Sequence, residues 1–515
     1  MRSILVTFFL GFLFAGYLYT QEPERIKEPA PKELQFIGYS FTRMTGSNVS
    51  PTNDILQGQV IGRLFGRNST NTIPQTAVYA EQRFVPMFIY TPSILDGYAV
   101  FRGLFKIDYT WGDQAYGVGN NRGGGLNGGQ INLQTLMANV DIRPPGAEWN
   151  VVLGLQRLFD NVRDPNINTL QTAQTSGYKL SYWGTQAVGI SLYKNITPTL
   201  KGRLGYFQLW ENEIRQDDDV ALWMLDLEGR VTPLWEVGGN LWYVYDRGKG
   251  SGGISVLGQG INSALAEYNG ATRVILPAGL SKYEADLFWI GGHASYNRDF
   301  MASRWWADAY VMLNLGKIDT GLVDKSKIAD VFAIGVNAAL NYKYGMTQND
   351  KIAVEFQYTS GDNNSISDGT LNSVLTGNIY GSPVGIYSSH KALLLFPDPQ
   401  VVNRYYSAVH DISNMGYGVT AGFINLHKDF IPNKLSAKLG IASALSNSTP
   451  SNGGSYIGTE INAEVKYNLK VFLTLSASAG YLTLGDFYNS PNTTDNGQRP
   501  KDPWVFFTTL SWLMF

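Results

Sequence analysis

Residues 504–515 read WVFFTTLSWLMF, a stretch without charge that stops on an aromatic. On an extended backbone Phe507, Thr509, Ser511, Leu513 and Phe515 share one face; Phe506, Thr508, Leu510, Trp512 and Met514 share the other. A strand apolar on both faces cannot sit at the open edge of a soluble sheet, because its unpaired backbone recruits other chains. It fits a sheet closed on itself, with lipid outside and side chains or water within. The competing reading is an ordinary terminal strand of a soluble β-protein, and the rest of the chain has to decide between them.

Composition favours closure. Charged residues make up 16% of the 515 residues and aromatics 13%, against roughly 25% charge in soluble domains. No internal run of about 18 apolar residues exists, so helical membrane spans are excluded. The net charge of −2 gives no reason to expect nucleic acid as a partner. Cysteine is absent, which excludes disulfides, thiolate metal sites, a cysteine nucleophile and a lipid-anchored Cys, and suits passage through an oxidising compartment. Residues 1–20 read as a signal peptide, with Arg2 ahead of a short apolar core. Residues 21–54 read as a periplasmic tail with a possible extra strand, and 55–515 as the barrel.

Strand-like alternation recurs along the chain. Phe332, Ile334, Val336, Ala338 and Leu340 oppose Asn337, Asn341 and Lys343; Ile457, Ile461, Ala463 and Val465 oppose Glu460, Asn462, Glu464 and Lys466. Each segment thus has an oily wall and a charged wall. The pattern predicts an all-β transmembrane antiparallel barrel of about eighteen strands, at 55–67, 76–90, 99–112, 130–143, 149–159, 177–195, 200–210, 220–232, 235–247, 285–298, 304–318, 331–345, 350–361, 417–430, 434–445, 456–468, 471–485 and 504–515. Short connections alternate with long ones, the asymmetry of periplasmic turns and extracellular loops. Residues 34–43 (LQFIGYSFTR) also alternate but exceed the even count. They read as a barrel strand, with one of the other spans wrongly assigned, or as a strand lining the lumen.

Two resemblances follow. Leu513 and Phe515 resemble the C-terminal signal by which the barrel-assembly machinery recognises outer-membrane barrels. The segments Tyr109-Thr110-Trp111-Gly112-Asp113, Gly154-Leu155-Gln156-Arg157-Leu158 and Tyr358-Thr359-Ser360-Gly361-Asp362-Asn363-Asn364 resemble the alginate-export family of outer-membrane porins. That likeness implies a monomeric eighteen-stranded barrel in the outer membrane of a Gram-negative bacterium, embedded in its lipid, passing a polysaccharide or small hydrophilic solute. A general porin and an adhesion or matrix-anchoring barrel with functional loops are the alternatives.

The alternation places Arg83, Arg102, Lys106, Lys201, Arg203 and Arg230 inside, with Asp108, Asp226, Glu228 and Glu355. These are the candidate pore-lining residues. They either pair across strands and stiffen the wall or form a basic ladder facing an acidic side, a transverse field that orients polar solutes. Asp362, Asn364 and Asp368 could supply oxygens to Ca²⁺, although Asp/Asn/Gly clusters are first of all turn formers; no other cofactor is expected. Residues 392–396 (ALLLF) form an apolar patch in a long loop, read as a fold-in that narrows the pore or as a contact for a partner. His390 with Ser388, Ser389 and Asp398 could be drawn as a catalytic group, but no nucleophile motif supports it, and no enzyme is expected.

Overall fold

The computed structural model describes residues 33–51, 61–63, 70–111, 131–159, 184–211, 214, 218–249, 282–320, 326–375, 392–396, 405–409, 412–494 and 497–515. The signal peptide, the tail up to residue 32, and His390 with Ser388, Ser389 and Asp398 lie outside them.

The wall consists of β1 (Leu34–Pro51), β2 (Thr70–Tyr90), β3 (Ala99–Thr110), β4 (Ile131–Ile142), β5 (Trp149–Phe159), β6 (Gly184–Thr197), β7 (Leu200–Trp210), β8 (Val220–Thr232) and β9 (Trp235–Asp246). It continues with β10 (Tyr283–Tyr296), β11 (Trp305–Thr320), β12 (Lys327–Lys343), β13 (Lys351–Thr359), β14 (Val419–Ile431), β15 (Leu435–Leu445), β16 (Tyr456–Lys470), β17 (Leu473–Leu484) and β18 (Trp504–Met514). Each pairs antiparallel with the next, and β1 pairs with β18 from Gly38 opposite Met514 to Ser47 opposite Val505. The sheet therefore closes, with eighteen wall strands and no edge.

The closing strand corrects the sequence reading. Residues 34–51 are wall, so the barrel begins at Leu34 and not at residue 55. The expected span 55–67 is not a wall strand. Its described part, Ile61–Arg63, pairs in parallel with Tyr405–Ser407 in a separate two-stranded sheet. One replaces the other, so the count stays even and both chain ends of the wall lie at the short-turn side.

The outer surface is apolar and uncovered. Phe332 is 59% and Ile461 64% exposed, and Ile424, Leu439, Leu510 and Trp512 are exposed beside them. Near the short turns Trp235 meets Tyr296 and Trp305 meets Tyr342, with ring centroids 5.0 and 4.6 Å apart. An apolar band bordered by aromatics is what a wall facing hydrocarbon requires. The protein is thus a transmembrane barrel of the Gram-negative outer-membrane build. One expected outward residue turns inward. Gly458 has φ +157°, and beside it the register between β15 and β16 shifts, so Ile457 becomes fully buried while Ile461 and Val465 stay outside.

Candidate functional site

The site is the inner wall, and from β7 to β18 its character changes with height. On β8 the inward residues run Val220, Leu222 and Met224 at the long-loop end, then Asp226, Glu228 and Arg230 at the short-turn end. On β7 Phe207 and Leu209 lie above Lys201 and Arg203. On β14 to β18 the upper residues include Phe423, Ala442, Leu482 and Phe507; the lower ones include Lys438, Glu464, Lys466 and Ser511.

The apolar upper wall is covered by the chain itself. Residues 362–375 leave the end of β13, and Thr370–Leu371 pair with the top of β12, where β13 has already ended. Ile366, Leu371, Val374 and Leu375 then pack on Trp242, Leu287, Trp289 and Met312. Trp289 Nε1 donates to the Leu375 carbonyl at 2.9 Å, and the Leu375 N–H donates to Asn314 Oδ1 at 2.9 Å. On the other side residues 392–396 pack on Phe423, Ala442, Leu482 and Val505. The apolar patch read from the sequence is thus folded into the barrel.

The charged residues are arranged as local pairs. Arg83 and Asp108 face each other across β2 and β3 and form two parallel bonds, Nε to Oδ1 and Nη2 to Oδ2, both 2.7 Å. Lys106 Nζ lies 3.8 Å from the same carboxylate. Arg102 Nη2 and Arg143 Nε both donate to Asp141 Oδ2 at 2.7 Å, and Asn150 Nδ2 donates to Oδ1 at 2.7 Å. Arg203 Nη1 sits 4.0 Å from Asp226 Oδ2, with its guanidinium 5.2 Å from the Tyr193 ring centre. Trp242 Nε1 donates to Asp226 Oδ1 at 2.6 Å. Lys201 stands opposite Glu228 in register. Arg230 Nη2 lies 3.3 Å and Arg298 Nη1 2.8 Å from the two oxygens of Glu236. Glu355 accepts from Asn337 Nδ2 at 3.0 Å.

The expected basic ladder and acidic side therefore do not stand apart. Arg83, Lys106, Asp108, Arg102 and Glu355 are buried, whereas Lys201, Glu228 and Arg230 remain exposed or half-buried. The alternation also puts Asp141 and Glu236 inside, but it missed Arg143 and Arg298 and the clusters these arginines form with the two carboxylates. Their signal was a carboxylate beside turn-end arginines, which becomes a cluster only once the register is known.

Asp362, Asn364 and Asp368 act within their own loop. Asp362 accepts the N–H groups of Asn364 and Asn372 at 3.0 and 2.9 Å, and Asn364 Nδ2 donates to Asp368 Oδ2 at 3.0 Å. Hydrogen bonds from Asn364 and Thr370 hold the Asp368 carboxyl below the usual range. Among the described residues no group of three or more His, Cys, Asp or Glu gathers as a metal site.

No protein-family model and no curated protein matches the chain. Solved structures similar to it include Pseudomonas aeruginosa OccK11 (OpdR), at 12% identity over 93% of this chain and 96% of that one, with a TM-score of 0.45. Acinetobacter baumannii OccAB1 is similar at 10% identity over 93% and 97%, TM-score 0.48, and Pseudomonas aeruginosa OccK1 (OpdK) at 11% over 93% and 98%, TM-score 0.47. At such identities no residue role passes from one chain to the other.

Proposed function

We infer that the protein is a passive outer-membrane channel for small hydrophilic solutes. The observation that carries this reading is the lower inner wall. Lys201, Glu228, Arg230, Glu236, Glu464 and Lys466 all keep contact with solvent inside a closed barrel. A wall that had only to fill space would bury apolar groups there, because ionised groups are costly to enclose. Each described cation of this set stands beside a carboxylate, so the lining has mixed sign. That favours neutral polyhydroxylated solutes, a saccharide among them, over a polyanion such as alginate, which calls for a wall of one sign. Passage in either direction is diffusion; no chemical step belongs to this reading.

The packed upper half favours a second reading, a barrel closed to solutes whose extracellular loops adhere to a surface or matrix. Single-channel recording of the refolded protein in a planar bilayer separates the two. Discrete conductance steps with weak ion selectivity support the channel. An absence of steps from a barrel whose heat-modifiable gel migration is intact supports the adhesion reading.

Insertion is proposed to use the last strand. Leu513 faces inward opposite Tyr39, while Phe515 is 66% exposed and meets Phe472 edge-on at 4.9 Å. An exposed aromatic after an unbroken strand suits recognition by the assembly machinery, with a monomer in lipid as the product.

A further inference from the structure

We propose that residues 392–396 form a releasable strap inside the lumen and that the Glu460 carboxylate is its latch. The inference rests on the channel reading only for its conductance test. Ala392–Phe396 carries no charge and is no part of the wall ladder. Three of its successive N–H groups converge on one side chain of β16: Leu393 donates to Glu460 Oε1 at 2.7 Å, and Leu394 and Leu395 donate to Oε2 at 2.8 and 2.6 Å. Asn462 Nδ2 completes the set on Oε1 at 2.9 Å. On the opposite edge the carbonyls of Leu394 and Leu395 accept the N–H groups of Ala408 and Val409 at 2.7 and 2.9 Å.

Among the described residues the strap otherwise packs on apolar side chains of the wall. Phe396 meets Phe423 edge-on with centroids 5.0 Å apart, and Leu394, Leu395 and Phe396 are fully covered. Apolar packing is non-directional and holds no register. The carboxylate supplies the register, because it offers enough lone pairs to accept all three N–H groups at once. A carboxamide cannot do so: its NH₂ would face at least one strap N–H, donor against donor. Such a strap has two states of the kind that local opening requires, one satisfied at Glu460 and one with its backbone returned to water. Release would uncover the inner faces of β14 to β18 and widen the lumen from within.

The absence of cysteine makes the test direct, since any introduced thiol is unique. A Leu394→Cys protein, inserted in liposomes, is treated with a membrane-impermeant maleimide. The thiol should react slowly, and faster by about tenfold or more once Glu460→Gln is added. Equally slow labelling in a folded Glu460→Gln barrel would overturn the latch. Should that variant fail to fold, a pair in the wild-type background decides. The Leu393 Cβ lies 3.4 Å from where a Cβ on Gly480 would stand, close to disulfide spacing. Leu393→Cys/Gly480→Cys should cross-link on oxidation and hold the channel in its lowest conductance, with reduction restoring larger openings. Failure to cross-link, or identical conductance in both redox states of a conducting barrel, would overturn the proposal. Faster labelling in Glu460→Gln without current in any variant would uphold the latch and defeat the channel reading.

Discussion

On β8 three apolar residues, Val220, Leu222 and Met224, stand above three ionisable ones, Asp226, Glu228 and Arg230, and both sets face inward. The upper set is buried under the chain's own loop residues; the lower set meets solvent. The outer face of the same strand shows no such change, because lipid covers its whole height. The inner face of a barrel has no solvent imposed on it, and its residue types state what fills each level. Here, from β7 to β18, the long-loop half is packed with the described loop residues, and the short-turn half keeps exposed or half-buried charges. The β2–β3 sector departs from this division. It carries Arg83, Lys106 and Asp108 upward, and there the charges are paired and fully covered rather than wet.

If the halves are held differently, substitutions should sort by height. The largest effect is expected at Trp289, which is 1% exposed and anchors Leu375. Trp289→Ala should cost about 3–5 kcal/mol, read as a lower temperature for loss of heat-modifiable migration. Asp108→Ala should cost a similar amount, about 3–5 kcal/mol, by leaving the Arg83 guanidinium uncompensated. The double change Arg83→Met/Asp108→Leu should recover most of it, because an apolar pair of similar volume suits a covered site; no recovery would mean that the charges are wet after all.

A smaller effect is expected in the periplasmic turn between β12 and β13. The Asp350 carboxyl is held below the usual range, first by the Asp429 N–H at 3.0 Å and also by Lys428 Nζ at 3.0 Å. A depressed value means that the unfolded chain binds the proton more readily. The stabilisation is therefore complete above the ordinary carboxylate value of about 3.9 and is lost as pH falls through the folded value. Asp350→Asn should lower stability at higher pH and abolish that acid-side loss; an unchanged acid limb would show that Asp350 does not carry it. Least affected should be Lys201→Ala, within about 0.5 kcal/mol for an exposed side chain. Its readout is selectivity: reversal potentials should shift toward cations while stability stays level.

The outward faces were legible in the sequence because lipid imposes alternation, and Phe332 to Leu340 and Ile461 to Val465 stand where that pattern puts them. The closing strand was harder to assign. Residues 44–51 (MTGSNVSP) carry Gly46, Asn48 and Ser50 on the outward side, where apolar residues mark a wall strand, and the neighbouring 55–67 alternates just as well. Only pairing with β18 distinguishes them. Ile457 escaped because a bulge at Gly458 reverses parity, which no count of period two detects. The lumen pairs were illegible for a related reason: Arg83 and Asp108 are 25 residues apart, and register alone brings them together. The ALLLF patch announced that something would bury it, but not that Glu460 would hold its backbone, 65 to 67 residues away.

The most direct measurement is the single-channel conductance of the refolded protein in a planar bilayer, with its reversal potential in a salt gradient. Discrete, small steps with weak selectivity are expected, as a mixed-sign lower vestibule beneath packed loop segments should give. A folded barrel that passes no current, or one with the strong anion selectivity of an unpaired basic wall, would contradict that expectation.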